Sequence, residues 1–211
     1  MVVKGVSSHV PPDGAAPAPG TTRTQAQRRE RTRSALIDAG RALFAERGYA
    51  GAGREEIVER AGVTRGAMYH HFSSKEALFL AVFEVVEREL CEAIAQSAMV
   101  SRDPIEQLRL GSRAFLDAAA TEEVRRICLL DAPSVLPVEV RRRLAEKYGL
   151  GLVRESLRHA EAAGRLNVGP VDALSLVVMA VLHEAATAIA DGDNPEAMRS
   201  VIDGMITAIT R

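Results

Sequence analysis

Residues 57–72, IVERAGVTRGAMYHHF, constrain the chain more than any other stretch. Two short helical segments, about Arg54–Ala61 and Arg65–Phe72, meet at the tight turn Ala61-Gly62-Val63. Gly62 can enter the left-handed region without Cβ strain. Thr64 is a good N-cap for the second segment. Glu55 and Glu56 stand in the first turn of the first, where the helix dipole favours acids. This is a helix-turn-helix pattern, whose second helix enters the DNA major groove. On that helix Arg65, Gly66, Tyr69 and His70 can point outwards, while Met68 and Phe72, four apart, point inwards. Small Gly66 and Ala67 let the backbone approach DNA. Tyr69 can bond a phosphate, and Arg65 can reach guanine O6/N7 or a phosphate.

Charge follows the same division. Residues 21–75 hold eleven Lys/Arg against six Asp/Glu, and residues 76–211 hold fifteen against twenty-one. The formal net charge of −1 conceals a basic first part and an acidic remainder. Only the basic part suits a polyanion.

The rest reads as helix. Residues 1–22, with Pro11-Pro12, Pro17 and Pro19, show no apolar period and are expected to be a disordered tail. From Arg23 a basic run leads into Leu36, Ile37, Leu43 and Phe44 on one face, stopped by Gly48. Ser73 or Ser74 caps a fourth helix reaching about Ala98. Asp103-Pro104 opens a fifth, and Thr121 with Glu123 a sixth. Pro133 and Pro137 bracket a break. A long helix is expected over Val138–Ala163, bent at Gly149 and Gly151. An almost wholly apolar helix follows to Ala190, and Asn194-Pro195 opens the last. That makes nine helices, no strand and no internal repeat: an all-α chain.

Several function classes drop out. No P-loop, G-x-S-x-G, G-x-G-x-x-G or H-E-x-x-H is present, so no enzyme is expected. Cys91 and Cys128 lack metal spacing and suit a reducing cytoplasm as small apolar groups. His70 and His71 diverge on a helix and have no third ligand, so neither a metal nor a cofactor is expected. The longest apolar stretch, around Ala173–Ala180, falls short of the ~20 residues that cross a bilayer, and no secretion signal is read. No membrane partner is expected.

Residues about 30–76 resemble the DNA-binding domain of the TetR family of bacterial transcriptional regulators. The matching residues are Ala39-Gly40, Leu43-Phe44, Gly48-Tyr49, Ile57, Ala61-Gly62-Val63, Gly66, Met68-Tyr69, His71-Phe72, and Lys75 with Glu76. The resemblance implies an all-helical homodimer with a C-terminal ligand domain, released from DNA when a ligand binds. It assigns Thr64, Arg65, Gly66, Ala67, Tyr69, His70 and His71 to the recognition helix and its approach. It places Lys75 on a phosphate, and Arg28 and Arg29 at the basic start of the first helix. One departure is Gly51-Ala52-Gly53-Arg54, where the family has a Thr or Ser cap. Gly offers no hydroxyl there, and Arg54 is the candidate to compensate.

The expected organisation is a tail over 1–22, a helix-turn-helix domain over 23–75 and a ligand-binding and dimerisation domain over 76–211. Leu130–Leu136 and Tyr148-Gly149-Leu150-Gly151 also resemble one group of TetR ligand domains. The last two helices are too apolar for a monomer, and the family implies that they form the dimer interface. A pocket is expected between the fifth, seventh and eighth helices. Its candidate lining is Phe115, Cys128, Tyr148, Leu152, Met179 and His183, so a largely apolar organic effector is expected. His183 is otherwise a satisfied core or interface residue, Asp131 a turn cap or a pocket group, and Arg141-Arg142-Arg143 a solvated face. The reading is thus a cytoplasmic repressor that binds a palindromic double-stranded DNA operator and is released by a small effector. An architectural DNA-binding protein without effector is the alternative, and a body of this size and acidity separates the two.

Overall fold

The computed structural model describes residues 20–210, with side chains from residue 24. The expected tail therefore lies outside the described residues, except for 20–22, which start the first helix. Among the described residues there are ten α-helices, one π-helix and a single isolated bridge between Leu166 and Thr210.

α1 (Gly20–Gly51) is interrupted at Gly48, whose φ of 71° only glycine adopts readily. α2 (Arg54–Arg60) and α3 (Arg65–His71) follow, joined through Gly62 at φ 64°. α4 (Lys75–Ala98) starts at the Ser74 cap. Helices this short hold their place only through packing. Ile57 of α2 and Met68 of α3 are buried against Leu36 and Phe44 of α1 and Leu78 and Phe79 of α4. The Phe44, Tyr49 and Phe79 rings meet at 5.1–5.9 Å between centroids, near edge-on for two of the three pairs.

α4 then leaves the head and packs on α5 (Pro104–Ala119). Where one helix from Thr121 was expected, the chain forms a π-helix, Val124–Asp131, and a short α6 (Ala132–Val135). Pro133 lies in the first turn of α6, where its missing N–H costs nothing. The break comes at Leu136-Pro137 instead. The expected long helix is two: α7 (Val138–Lys147) and α8 (Gly149–Ala162), parted at Tyr148 with φ −114° and ψ −86°. At Gly149, which opens α8, a Cβ would come 2.5 Å from the flexible end of Met179, which would have to shift. α9 (Val171–Asp191) and α10 (Pro195–Ile209) complete the body. Contrary to the sequence expectation, α9 is long and apolar enough to cross a membrane by length and composition. Here it packs against α5, α8, α10 and the π-helix.

Two cores result. The first joins the head to Ile127 and Cys128 of the π-helix and to Leu144 of α7. The second joins α5, α8, α9 and α10 through residues such as Leu116, Leu157, Leu182 and Ile206. The first core runs across residue 75, so α4 and the π-helix belong to head and body at once.

Candidate nucleic-acid interface and internal cavity

α3 presents one face outwards. Thr64, Arg65, Gly66, Tyr69 and His70 are exposed, Ala67 and His71 half-buried, and Met68 buried. The Thr64 hydroxyl accepts the Ala67 N–H at 3.2 Å, which fixes the start of the helix. A Cβ at Gly66 would meet nothing within 4 Å, so this surface is open. The Arg54 guanidinium stands 6.0 Å from the Tyr69 ring, joining α2 to the same face. Gly53 caps α2 without a side-chain hydrogen bond, as the Gly-Ala-Gly departure requires.

The basic start of α1 reaches this face as well. Arg28 and Arg29 are exposed. Burial holds the His71 imidazole below its ordinary pKa, and the charges of His70, Arg29 and Arg33 act in the same direction. Arg33 also lies 5.5 Å from the Phe72 ring. α1 and α3 therefore form one continuous basic surface. On it Arg65 is paired with Glu55 of α2, both side chains being 70% exposed.

Lys75 is placed differently from the rest. Its Nζ donates to the carbonyls of Tyr49 at 2.7 Å and Ala52 at 3.0 Å, 4.2 Å from the Tyr49 ring. It holds together the end of α1 and the approach to α2. Beside it the Tyr49 hydroxyl donates to Glu76 at 2.6 Å, and this bond comes first among those that lower the Glu76 carboxyl to about 2.

Three further contacts tie the head to the body. Arg41 of α1 is bidentate to Glu123 at 2.6 and 2.7 Å and reaches Glu89 of α4 at 2.6 Å. The Glu123 bond is the largest of several that hold its guanidinium charged. The Tyr49 N–H donates to Asp131 Oδ2 at 2.7 Å. Asp131 thus secures the end of α1 across 82 residues, rather than capping its own turn or lining the pocket. Arg126 lies against Gly48, where a Cβ would come 2.7 Å from its Nε. All three anchors, Glu123, Arg126 and Asp131, lie on the π-helix or directly before it. A π-turn inside helical structure often marks a functional site.

The body holds a partly open cavity of about 800 Å³. That is ample for a drug-sized molecule. Its walls come from α4, α5, the π-helix, α6, α7, α8 and α9. Phe115, Cys128, Leu152, Met179 and His183 line it as expected. Tyr148 does not. The break between α7 and α8 turns it towards Glu84 of α4, 3.3 Å from its hydroxyl, under the Lys147 ammonium. The sequence reading also missed the α4 wall. Phe83, Glu87, Leu90, Cys91 and Ile94 recur at spacings of three and four on the cavity side. The available signal was a single acid inside that apolar stripe.

The titratable groups on the cavity walls include Glu87, Cys91, Cys128 and His183. Burial raises the Glu87 carboxyl to about 7, while a hydrogen bond with the Cys128 thiol works weakly against it. Burial likewise pushes the Cys91 thiol up to about 12 and the Cys128 thiol well up, so neither is a ready thiolate. His183 is held below its usual value by burial and then by Arg141.

Comparison with known proteins agrees with this architecture. The family described as "Bacterial regulatory proteins, tetR family" matches residues 36–82. "Tetracyclin repressor-like, C-terminal domain" matches residues 105–210, half of the chain. The transcriptional repressor AcnR of Corynebacterium efficiens is 28% identical over 187 residues, covering 85% of this chain and 93% of that one. The crystal structure of a TetR-family regulator from Pectobacterium atrosepticum superposes with a TM-score of 0.72 at 29% identity, over 86% of this chain and 93% of that one. RolR in complex with resorcinol shares the fold, with a TM-score of 0.66 at 23% identity over 87% and 90% of the two chains. The basic helix-turn-helix head on an all-helical body is that of a transcriptional regulator, and the chain belongs to the TetR family.

Proposed function

We propose that the chain is a cytoplasmic repressor that binds a near-palindromic operator as a homodimer and lets go when a small organic molecule fills the cavity. The observation that carries this reading is the double membership of two elements. α4 supplies Leu78 and Phe79 to the head core and Phe83, Glu87 and Leu90 to the cavity wall. The π-helix places Cys128 on the cavity, while Asp131 holds the backbone of Tyr49. A ligand that changes the tilt of either element moves the reading helix. Repression is also in keeping with AcnR, a repressor, and effector binding with RolR, which is complexed with resorcinol.

DNA contact is proposed through Arg28, Arg29, Arg54, Thr64, Arg65, Gly66, Ala67, Tyr69, His70 and His71. Lys75 acts by positioning the Ala52–Arg54 backbone. For the dimer, α9 and α10 leave Leu176, Val177 and Val201 exposed at 57–59% and Met205 at 39%. Exposed apolar side chains on two helices that pack together support an interface there. Two heads fixed by such an interface mirror a twofold operator.

The heads must match the groove spacing together, so the ligand shifts affinity by its preference between two dimer geometries. That shift is typically about 1–3 kcal/mol per coupled site. The test is to select bound DNA with the purified protein, find a ligand by thermal shift, and titrate it against free and operator-bound protein. Weaker ligand binding to the operator complex is expected, by the same factor that the ligand weakens DNA binding. Identical affinity in both titrations rules that ligand out as the inducer. No ligand from broad screens would return the protein to an architectural role.

A further inference from the structure

Glu87 has no counter-charge. It lies midway along α4 on the cavity wall, flanked on its own face by Phe83, Leu90, Cys91 and Ile94. Its one hydrogen-bond partner among the described residues is the Cys128 thiol, and no Lys, Arg or His pairs with it. A carboxyl in an apolar wall is costly unless it is paired or neutral. The cavity's cations stand elsewhere. Arg141 lies by His183, with its Nε 3.4 Å from the Leu136 carbonyl, and Arg142 is exposed. The cavity thus has one acid, Glu87, within the apolar wall of α4, a basic side at α7, and its other acid, Glu155, exposed on α8.

We propose that the cavity selects an apolar organic molecule carrying one positive charge, held by Glu87 as its counter-ion. This rests on the cavity being the effector site. A bound cation restores the missing partner in a low-dielectric setting, where a charge pair counts for more than in water. An anion of the same shape meets an unpaired acid and is rejected. The cation binds the ionised carboxylate, so binding releases a proton below pH 7. Its affinity rises as pH rises through that value and is level above it. The other titratable or charged groups on the lining are Cys91 of α4, Cys128 of the π-helix, Arg141 and Arg142 of α7, Glu155 and His159 of α8, and His183 of α9. The histidines also charge on acidification and oppose a cation, so the Glu87 contribution is read as the difference from Glu87→Gln.

The experiment uses the full chain and two probes of one shape, tetraphenylphosphonium and tetraphenylborate, titrated calorimetrically at constant ionic strength. The cation is expected to bind at least tenfold more tightly than the anion at pH 8. Glu87→Gln is expected to erase that preference. In the unmutated protein the cation's affinity is expected to fall about tenfold between pH 8 and pH 6, beyond any change seen in Glu87→Gln, as a group titrating near 7 requires. If the variant does not fold, the preference of the unmutated protein for the cation over the anion at pH 8 still decides. Equal binding of the two ions, no binding of the cation, or an unchanged cation affinity in Glu87→Gln overturns the proposal. Operator binding measured beside it separates the underlying reading. If the cation binds through Glu87 yet leaves DNA affinity unaltered, the cation site stands and the effector role of the cavity falls. If the anion releases DNA regardless of Glu87, the effector role stands and the cation site falls.

Discussion

The head and the cavity treat their charges in opposite ways. In the head many cations are already engaged: Arg65 with Glu55, Lys75 with two carbonyls, Arg33 with the Phe72 ring, Arg41 with two acids. In the cavity wall Glu87 has only a thiol. The head is a solved packing problem whose surface pairs exchange for phosphates. The cavity is an unsolved one, left open for a molecule that completes it. The difference teaches where stability is stored and where differential binding is available.

The largest test of that contrast is truncation. Phe79 is wholly buried between head and body and meets the Phe44 and Tyr49 rings. Phe79→Ala is expected to lower unfolding free energy by about 3–5 kcal/mol. Met179 borders a space that is already empty. Met179→Ala is expected to cost under about 1 kcal/mol, because most of the cavity term has no new void to act on. Denaturant titration of both variants checks this. Comparable losses would mean that the cavity is as tightly packed as the head.

Glu87 sharpens the contrast in pH. The folded state raises its carboxyl from 4.5 to about 7, so protonation favours folding. That contribution is complete below about pH 4.5, fades as pH rises through 7 and is absent above. Glu87→Gln removes the cost of the buried charge. The variant is expected to be more stable than the unmutated protein at pH 8, by on the order of 1–3 kcal/mol, and nearly equal to it at pH 4.5. Thermal unfolding at the two pH values decides it. A variant that is less stable at pH 8 would show that Glu87 is paired after all.

What was legible from residues follows the range of the signals. Thr64, Ser74, Asp103 and Asn194 cap helices with bonds two or three residues away, and all four were readable. Gly62 and the Met68–Phe72 pairing are equally local. The π-helix was not readable, because an i→i+5 bond leaves no apolar period of its own. Nor was the break at Tyr148, whose φ of −114° and ψ of −86° no local pattern announces. Glu87 was not readable as a cavity group, since only the packed walls show that it has no partner. Lys75 was recognised as important from its position, but its bonds lie 23 and 26 residues back, beyond any local pattern.

Lys75 therefore gives the next prediction. Lys75→Met leaves the carbonyls of Tyr49 and Ala52 without their donor in a half-buried place. The expected loss is about 1–3 kcal/mol of stability, with weaker operator binding as a consequence. A simple phosphate contact predicts something else: unchanged stability, and a log–log salt slope smaller by about 0.9. Denaturation and salt-dependent DNA binding, measured on the same variant, separate the two.

The smallest expected effect lies at the reading surface, where the head's self-sufficiency is weakest. Arg65 must leave Glu55 before it can meet a base or phosphate. Both side chains are 70% exposed, and such solvent-screened pairs contribute little to stability. Glu55→Gln removes the competitor and one negative charge from a surface that faces a polyanion. Stability is expected to stay unchanged within the error of a denaturant titration. Operator affinity is expected to rise a few-fold, the gain shrinking as salt screens the charge. Arg65→Ala tested on the same DNA supplies the control. If Arg65 reads a guanine, its loss costs about 1–3 kcal/mol and relaxes preference at one base pair. In the double variant the gain from Glu55→Gln is expected to shrink, because the arginine it would release is gone. A gain that survives intact without Arg65 would show that Glu55 acts only as a repelling charge, and that the pair does not gate the reading helix.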